Sequence, residues 1–339
     1  MTDTGSLAKP RFTLPGPAIA ALVVVVLIGI AIAIGGQVIA RQVVSGLMLG
    51  AIYMTVAVAF TLTIGVLNFL NFTIPTLFML TGMVAWGVLS QGYLSFAGNA
   101  AWLLALFIGV AVAVVASLIV ERFTFRYLKM KHGDSTEHAI PLVSSLGFLL
   151  IFENLVLIAF GSDSQRFKVP FNADLRIGNI VLGVPQIASC IVAVAAVAAL
   201  TYILKRTKIG RALRTIAENP DTALLLGVDV SRVVPVVFIL TGVLAGVAGA
   251  LFTVNYGDVS AFMGDNVGTK AIAAMVLGGI GSIWGAIAGG IVVGVAETLS
   301  IQYFGGNSVQ MTVWGLVLVI IILRPKGLFG GSAVGKGKM

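Results

Sequence analysis

The sequence predicts a single all-α polytopic membrane domain of about ten transmembrane helices, with both termini in the cytoplasm. Of its 339 residues, 58% are hydrophobic and only 10% are charged, whereas soluble chains average about 25% charged residues. Apolar runs of about 20 residues recur along the chain, and a helix of that length crosses a hydrocarbon core of ~30 Å. These runs lack the alternation of barrel strands. We assign a single transmembrane domain to residues 1–330 and a flexible tail to residues 331–339.

The first half of the chain contains five predicted spans. A polar tail of residues 1–16 precedes an apolar run at residues 17–34, which we interpret as a retained first span. A signal peptide is the alternative, because Ala31 and Ala33 loosely resemble a cleavage pattern. The run is long, however, and the downstream chain is equally apolar. The other four spans are predicted at residues 42–64, 72–89, 101–120 and 139–160.

The second half contains five further predicted spans. The loop at residues 161–186 comes first, and its weak alternation of polar and apolar residues predicts a small hairpin. Asp258, Asp265 and Lys270 are assigned to the loop that leads to a short eighth segment. The five spans are predicted at residues 187–204, 233–254, 269–280, 282–303 and 309–323.

The basic residues predict the orientation of these spans. With ten crossings, both termini share one side of the membrane with the loops at residues 121–138 and 205–232. These four segments hold sixteen of the 21 Lys and Arg residues, so the positive-inside rule assigns them to the cytoplasm. The loops at residues 161–186 and 255–268 then face outward. Spans two to five and seven to ten begin on opposite sides, an order compatible with an inverted repeat.

No constellation of catalytic, metal-binding or nucleotide-binding residues is found in the sequence. Cys190 is the single cysteine, and His132 with His138 lies in one loop without nearby cysteines, so we predict no metal site. Residues 330–337 approach a phosphate-binding loop, but Gly337 stands where Ser or Thr would hold magnesium. We therefore expect a non-catalytic chain without cofactors, and we attribute its net charge of +8 to membrane orientation rather than nucleic-acid binding.

Two acidic residues and one asparagine within predicted spans are candidates for a functional role. Glu153 and Asn154 fall in the fifth span and Glu297 falls in the ninth. A charged group at membrane depth costs about 2.5–3.5 kcal/mol, so it usually faces a bundle interior or a water-filled cavity. These residues are candidates for a substrate pathway, and a structural hydrogen bond to a neighbouring helix is the alternative for each.

A probable helix break precedes the third span. Asn68 and Asn71 flank it, and Thr73 and Pro75 follow. Irregular backbone at membrane depth requires protein or a cavity around it, and free amide groups at a helix start can meet a polar ligand. Asn68, Asn71 and Thr73 are therefore further pathway candidates, with an ordinary interfacial turn as the alternative.

The long polar stretch at residues 205–232 predicts two short capped helices. The first is predicted at residues 209–218, since the residue before Pro220 avoids the helical region. Asn219 would be the N-cap of the second, Asp221 would lie against its positive end, and Gly227 would end it. A solvated linker is one interpretation and a docking element is the other. The candidate docking residues are Gly210, Arg211, Arg214, Glu218, Asn219, Pro220, Asp221 and Gly227.

Glycines recur every four residues in two predicted spans. Gly281, Gly285 and Gly289 share one face, as do Gly242 with Gly246 and Gly290 with Gly294. Such small residues permit close helix approach, so they predict packing within the subunit or against a partner.

Four stretches resemble the LivH-type permeases of branched-chain amino acid ABC importers. The first is GRALRTIAENP at residues 210–220, and the second is KAIAAMVLGGIGSIWG at residues 270–285, continued by GVAE at residues 294–297. LRPKGLFG at residues 323–330 and the pair at residues 121–122 complete the resemblance, which extends over residues 42–330. One departure is NFLNF at residues 68–72, where the family usually has Asn-Phe-Ala-His-Gly.

The resemblance implies a bacterial inner-membrane subunit with several partners. These would be a second permease (LivM-like or another copy), two cytoplasmic ATPases that bind ATP and magnesium, and a soluble substrate-binding protein. The helices at residues 209–227 would couple to the ATPases, and the outward loops would receive the binding protein. Because of the departure at residues 68–72, urea or short amides are alternative substrates to amino acids. A self-sufficient secondary transporter or channel is the alternative from another class.

Overall fold

The computed structural model describes residues 16–93, 98, 100–127, 139–167, 169, 174–177 and 180–329. The predicted tail at residues 331–339, both histidines and most of the N-terminal polar tail lie outside these residues. Nearly all of the described chain is helical, and the longest elements are apolar helices. The prediction of an all-α polytopic membrane protein is confirmed at this level.

The first half forms four long helices. They are α1 (Gly16–Leu67), α2 (Ile74–Ser90), α3 (Ala101–Val120) and α4 (Ala139–Phe160), with a π-helical segment (Glu121–Tyr127) that continues α3. The second half forms seven helices of more varied length. They are α5 (Val184–Arg206), α6 (Lys208–Glu218), α7 (Pro220–Leu225), α8 (Val230–Tyr256), α9 (Met263–Gly278), α10 (Ile283–Phe304) and α11 (Val309–Leu323).

Seven segments of the described chain are long and apolar enough to cross a membrane. They are Arg41–Leu67, Ala101–Thr124, Ile140–Phe160, Val184–Arg206, Val230–Tyr256, Ile283–Phe304 and Gly306–Leu323. Two shorter helices, α2 with 17 residues and α9 with 16, pack among them. Apart from the first, second and eighth predicted spans, each predicted span begins and ends within three residues of an observed helix.

The first two predicted spans form one helix, and their predicted separation is wrong for the described structure. α1 continues through residues 35–41 without a break, where the sequence predicted a turn between spans at residues 17–34 and 42–64. This connecting stretch contains no proline, and isolated glycines cost a helix only about 1 kcal/mol each. Backbone hydrogen bonding therefore continues through a polar interval that resembled a loop.

The eighth predicted segment is also corrected. The sequence predicted residues 269–280, whereas α9 begins six residues earlier and includes Asp265 and Lys270. Asp265 lies in the first turn, where the positive end of the helix dipole stabilises a carboxylate. The helix ends at Gly279, whose φ of 109° is readily adopted only by glycine.

The two halves pack in matching patterns. In the first half, α2 packs against α3 and α8, and α3 packs against α8. In the second half, α9 packs against α10 and α1, and α10 packs against α1. The outer helices correspond as well, because α4 contacts α2 while α11 contacts α9. The four largest fully buried side chains are Tyr53, Phe60, Phe78 and Phe238, and they come from α1, α2 and α8. The core therefore lies between the two halves.

Short strands join two loops that are far apart in sequence. β1 (Gln165–Arg166) pairs antiparallel with β4 (Asp258–Val259). β2 (Asp174–Ile177) and β3 (Ile180–Gly183) form an antiparallel hairpin just before α5. The loops at residues 161–186 and 255–268 therefore lie at the same end of the helix bundle.

The glycine-rich face of α10 packs within the subunit. A Cβ atom on Gly289 would lie 2.0 Å from the carbonyl oxygen of Ala274 on α9. A Cβ atom on Gly294 would lie 2.4 Å from the Cα of Gly50 on α1. Since real Cβ atoms cannot approach so closely, glycine at these positions allows α10 to contact both neighbours through its backbone.

Candidate functional site

The stretch at residues 205–232 folds into two short capped helices at one end of the bundle. The Thr207 hydroxyl accepts a hydrogen bond from the Gly210 amide at 3.1 Å and so caps α6. Leu213, Ile216 and Ala217 are buried, whereas Arg211, Arg214 and Glu218 are exposed. α6 is therefore amphipathic, with its apolar face on the membrane domain and its charged face free in this subunit.

The residues that begin and end α7 are those predicted from the sequence. The Asn219 side-chain oxygen accepts a hydrogen bond from the Thr222 amide at 3.1 Å, and the helix begins at Pro220. Gly227 ends it with a φ of 81°. The side chain of Asp221 lies outside the described residues. Three consecutive leucines are strongly exposed here: Leu224 at 57%, Leu225 at 88% and Leu226 at 69% of their surface. They were not among the docking residues predicted from the sequence.

Asp229 fixes the connection from α7 to α8. Its carboxylate accepts hydrogen bonds from the Ser231 hydroxyl at 2.6 Å and the Ser231 amide at 3.1 Å, and Arg232 lies 2.9 Å away. The Ser231 hydroxyl is the main cause that lowers the pKa of this carboxyl below its usual value. The cap is therefore complete above the ordinary pKa of an aspartate and is lost only as the pH falls through the lowered pKa.

A cavity of about 240 Å³ lies directly behind α6. Leu213, Arg214 and Ala217 of α6 form one wall, and the end of α1 from Thr61 to Val66 contributes another. The loop between α9 and α10, with Gly281 and Ser282, forms part of the boundary. Most of its lining is apolar, and the close packing of protein interiors leaves few such spaces. α6 thus lies against an unfilled space that also borders α1 and the loop before α10.

Two residues of the predicted helix break form a hydrogen-bonded turn just before α2. Asn71 is fully buried, and its side-chain oxygen accepts hydrogen bonds from the Thr73 amide at 3.1 Å and the Thr73 hydroxyl at 2.7 Å. The amide nitrogen of Asn71 is buried without a hydrogen-bond partner among the described residues. Asn68 lies apart, exposed, with a φ of 57°. Asn71 and Thr73 therefore organise the start of α2.

Glu153 and Asn154 lie on the periphery of the subunit. α4 contacts mainly α2 and the π-helical segment, and only 11% of its most apolar window is buried. Asn154 is exposed and donates to the carbonyl of Leu150 at 2.8 Å. These two residues are thus far less enclosed than the sequence interpretation of a bundle interior required.

Glu297 lies in a charged cluster that joins three helices. It is 6% exposed, and its carboxylate accepts a hydrogen bond from the Tyr53 hydroxyl on α1 at 2.6 Å. Lys270 on α9 approaches the other carboxylate oxygen at 2.5 Å and lies 3.3 Å from the Tyr53 hydroxyl. Buried charges in a membrane domain require compensating polar partners. Glu297 has Lys270 and Tyr53 as partners, and Lys270 has Glu297 and Tyr53.

The sequence analysis missed two members of this cluster. Lys270 was assigned to a loop, although it is the eighth residue of α9. Tyr53 is 2% exposed and gave no signal within an apolar run. The sequence did contain one indication of an ion pair. Lys270 stands directly before an apolar stretch, and Glu297 lies within a predicted span and needs a cationic partner. The structure does not bring the six pathway candidates together. Asn71 and Thr73 form the hydrogen-bonded turn before α2, and Asn68 lies exposed nearby. Glu153 and Asn154 lie on the periphery, and Glu297 belongs to the charged cluster.

Comparison with known proteins gives a consistent result. Residues 42–322 match the family described as "Branched-chain amino acid transport system / permease component". One relative is the high-affinity branched-chain amino acid transport system permease protein LivH of Salmonella typhimurium. It is 30% identical to this chain over 304 residues, and the alignment covers 87% of this chain and 97% of that protein.

A second relative is 28% identical over 305 residues. It is the high-affinity branched-chain amino acid transport system permease protein BraD of Pseudomonas aeruginosa, with the same coverage of both chains. Among solved structures, PsaBC from Streptococcus pneumoniae in complex with Fab aligns with 90% of this chain and 97% of its own, at a TM-score of 0.41 and 13% identity. That similarity is too low to carry an argument.

Proposed function

Since the chain belongs to the branched-chain amino acid transport system permease family, we propose that it is a membrane-spanning subunit of an ABC importer for branched-chain amino acids. The observation that carries this proposal is the family match across residues 42–322. Permease subunits of this family are non-catalytic, so separate ATPases would supply the energy. The setting that follows is a bacterial inner membrane.

The proposed topology places the loop at residues 205–232 and the C-terminal segment in the cytoplasm. The positive-inside distribution of Lys and Arg supports this assignment. The pairing of β1 with β4 supports a shared outer side for the two loops that contain them. The amides of Leu328 and Phe329 donate to the carbonyls at the end of α9, which supports a common inner side for those ends. The predicted cytoplasmic N terminus is not part of this proposal, because α1 continues through residues 35–41 without the turn that it would require.

We assign the matching packing of the two halves to an inverted repeat. α1, α2, α3 and α4 would correspond to α8, α9, α10 and α11, in that order. Each set contains one short helix in the same place, α2 or α9, after an irregular connection. Inverted repeats place the substrate pathway where the two sets meet. The Lys270–Glu297 cluster belongs to the second set and contacts α1 of the first.

The coupling element of the proposed importer is the pair α6 and α7. The exposed face of α6 carries Arg211, Arg214 and Glu218, and α7 adds the exposed leucines at positions 224–226. A charged surface with an apolar centre is typical of a protein interface. Closure of the two ATPases would press on α6, and the cavity behind it allows that movement to reach α1 and the loop before α10.

We place a polar element of the substrate pathway at Lys270 and Glu297. An amino acid carries a carboxylate and an ammonium group, and these two side chains offer one charge of each complementary sign. Their side chains are 15% and 9% exposed, so each keeps a small accessible surface. Urea and short amides lack formal charges and would not need such a pair. This feature therefore favours amino acids over amides.

Reconstitution tests the proposed function directly. The chain is purified with its cognate second permease, ATPases and binding protein, and leucine uptake into liposomes is measured with and without ATP. We expect uptake only with ATP and all components present. Uptake by this chain alone, without ATP, would contradict the proposal and favour a secondary transporter or channel.

Charge reversal tests the coupling role of α6. The double variant Arg211→Glu/Arg214→Glu should insert normally but lose ATPase co-purification, because both side chains are exposed and contribute little to the fold. A variant with the same charge change, Arg122→Glu/Lys326→Glu, is the control, since these residues are also exposed on the proposed cytoplasmic side. Equal ATPase recovery in both variants would argue for a plain solvated linker.

A further inference from the structure

A second large concavity lies between α5 and α10, away from the charged cluster. It has a volume of about 470 Å³, and α1 forms its floor through Met54. Its walls are almost entirely apolar. They are formed by one face of α5 and one face of α10: Val194, Val197, Ala198, Thr201, Ile287 and Ile291. The residues recur at spacings of three or four, so the concavity follows the helices as a groove.

Basic and aromatic residues close one end of this groove. Lys205 and Arg206 stand at the end of α5, with Tyr202 and Trp284 beside them. The Lys205 ammonium lies 5.5 Å from the centre of the Trp284 ring. Within the described residues, neither cation forms an ion pair with a carboxylate. The groove thus combines a long apolar body with two cations whose charge is uncompensated.

We infer that this groove binds an anionic phospholipid of the inner leaflet. An acyl chain would lie along the apolar face of α5 and α10, and the phosphate would contact Lys205 and Arg206. The inference depends on the topology given under the proposed function, in which this end of α5 faces the cytoplasm. Basic residues at the cytoplasmic ends of helices attract anionic headgroups, and Trp and Tyr favour the headgroup level.

Charge complementarity favours this occupant over a neutral lipid. Two cations near the membrane surface predict about a 30-fold preference for an anionic headgroup, equivalent to about 2 kcal/mol. Tyr202 is 66% exposed, so the headgroup end opens toward the surroundings of this subunit. The headgroup end also borders the cavity behind α6, since Thr201, Lys205 and Trp284 line both spaces.

Fluorescence quenching at Trp284 tests the site in the assembled importer. A variant with Trp284 as the single tryptophan of this chain (Trp86→Phe, Trp102→Phe, Trp314→Phe) is assembled with tryptophan-free partners. It is placed in nanodiscs with either brominated phosphatidylglycerol or brominated phosphatidylcholine. We expect stronger quenching by the phosphatidylglycerol, and loss of that difference after Lys205→Ala/Arg206→Ala. The control Arg232→Ala/Lys326→Ala, with the same change in charge, should keep it.

Two results would overturn the inference. The first is equal quenching by both lipids in the single-tryptophan protein. The second is no quenching by either lipid in the assembled importer together with quenching of the isolated subunit, which would show that the partner permease covers the groove. If the alanine variant does not assemble, Lys205→Gln/Arg206→Gln keeps most of the apolar stems and replaces it. Because the measurement needs no transport, lipid selectivity can persist even if the importer proves not to carry amino acids.

Discussion

The ammonium of Lys270 and the carboxylate of Glu297 lie 2.5 Å apart and join α9 to α10 inside the membrane domain. The hydroxyl of Tyr53, which lies on α1, donates a hydrogen bond to the same carboxylate. Each residue belongs to a different helix, so the cluster depends on the relative positions of all three. Burial makes the loss of one charge more costly than the loss of both.

Removing one member of the pair should therefore destabilise the protein more than removing both. Lys270→Met leaves the Glu297 carboxylate buried without its cation, at an expected cost of about 3–5 kcal/mol. The double variant Lys270→Met/Glu297→Leu should recover most of that loss. Thermal unfolding in detergent compares the variants. A double variant as unstable as the single one would show that the pair is not energetically coupled.

The same double variant should fail to transport amino acids even when it is folded. The proposed zwitterion recognition requires both charges, so leucine uptake should fall at least about tenfold, a loss of about 1.4 kcal/mol. The matched control is Gln42→Leu/Gln302→Leu, which removes another hydrogen-bonded polar pair between α1 and α10. Normal uptake by the Lys270 and Glu297 double variant would make the cluster purely structural.

Substitutions of Asn71 separate its two polar atoms. Asn71→Ala removes the oxygen that accepts from the Thr73 amide and hydroxyl before α2 and should cost about 1–3 kcal/mol of stability, because buried donors lose their acceptor. Asn71→Asp keeps that acceptor but removes the buried nitrogen that has no partner among the described residues. If the nitrogen donates to substrate, the aspartate variant loses uptake while expression holds. Parallel losses of uptake and expression in both variants would identify an ordinary structural turn.

The glycine contacts of α10 should tolerate no side chain. Gly289→Ala places a methyl group against the backbone of Ala274 and should destabilise the protein by about 1–3 kcal/mol through overpacking. Gly147 on α4 is the control, because a Cβ there meets no atom within 4 Å. Gly147→Ala should be neutral or slightly stabilising. The unfolding midpoints of the two purified variants measure the difference.

The exposed leucines of α7 should contribute to ATPase docking. Leu225 is 88% exposed, so Leu225→Ser should leave folding unchanged. Burial of a leucine at an interface is worth about 1.5–3 kcal/mol, which predicts about a tenfold or larger loss of ATPase affinity. Co-purification and titration of the ATPase measure it. Tyr93→Ser, an exposed position at the opposite membrane face in the proposed topology, should have no effect; a similar loss in both would indicate a nonspecific defect.

Local rules predicted much of the coupling element from sequence. The N-cap at Asn219, the start at Pro220 and the end at Gly227 are all observed, because these signals act over four or five residues. α9 was placed incorrectly for the same reason. Asp265 and Lys270 look like loop residues locally, and only their partners and position in the fold make them helical.

The sequence by itself determined the class of the molecule, the extent of most helices and the family. These follow from apolar length, capping residues and the distribution of charge, which are properties of neighbouring residues. Only the tertiary structure decided which polar residues meet. Tyr53, Lys270 and Glu297 are separated by more than 200 residues in sequence at their extremes, and helix packing alone brings them together. The same is true of the groove between α5 and α10, since a concavity exists only once its two walls have been positioned.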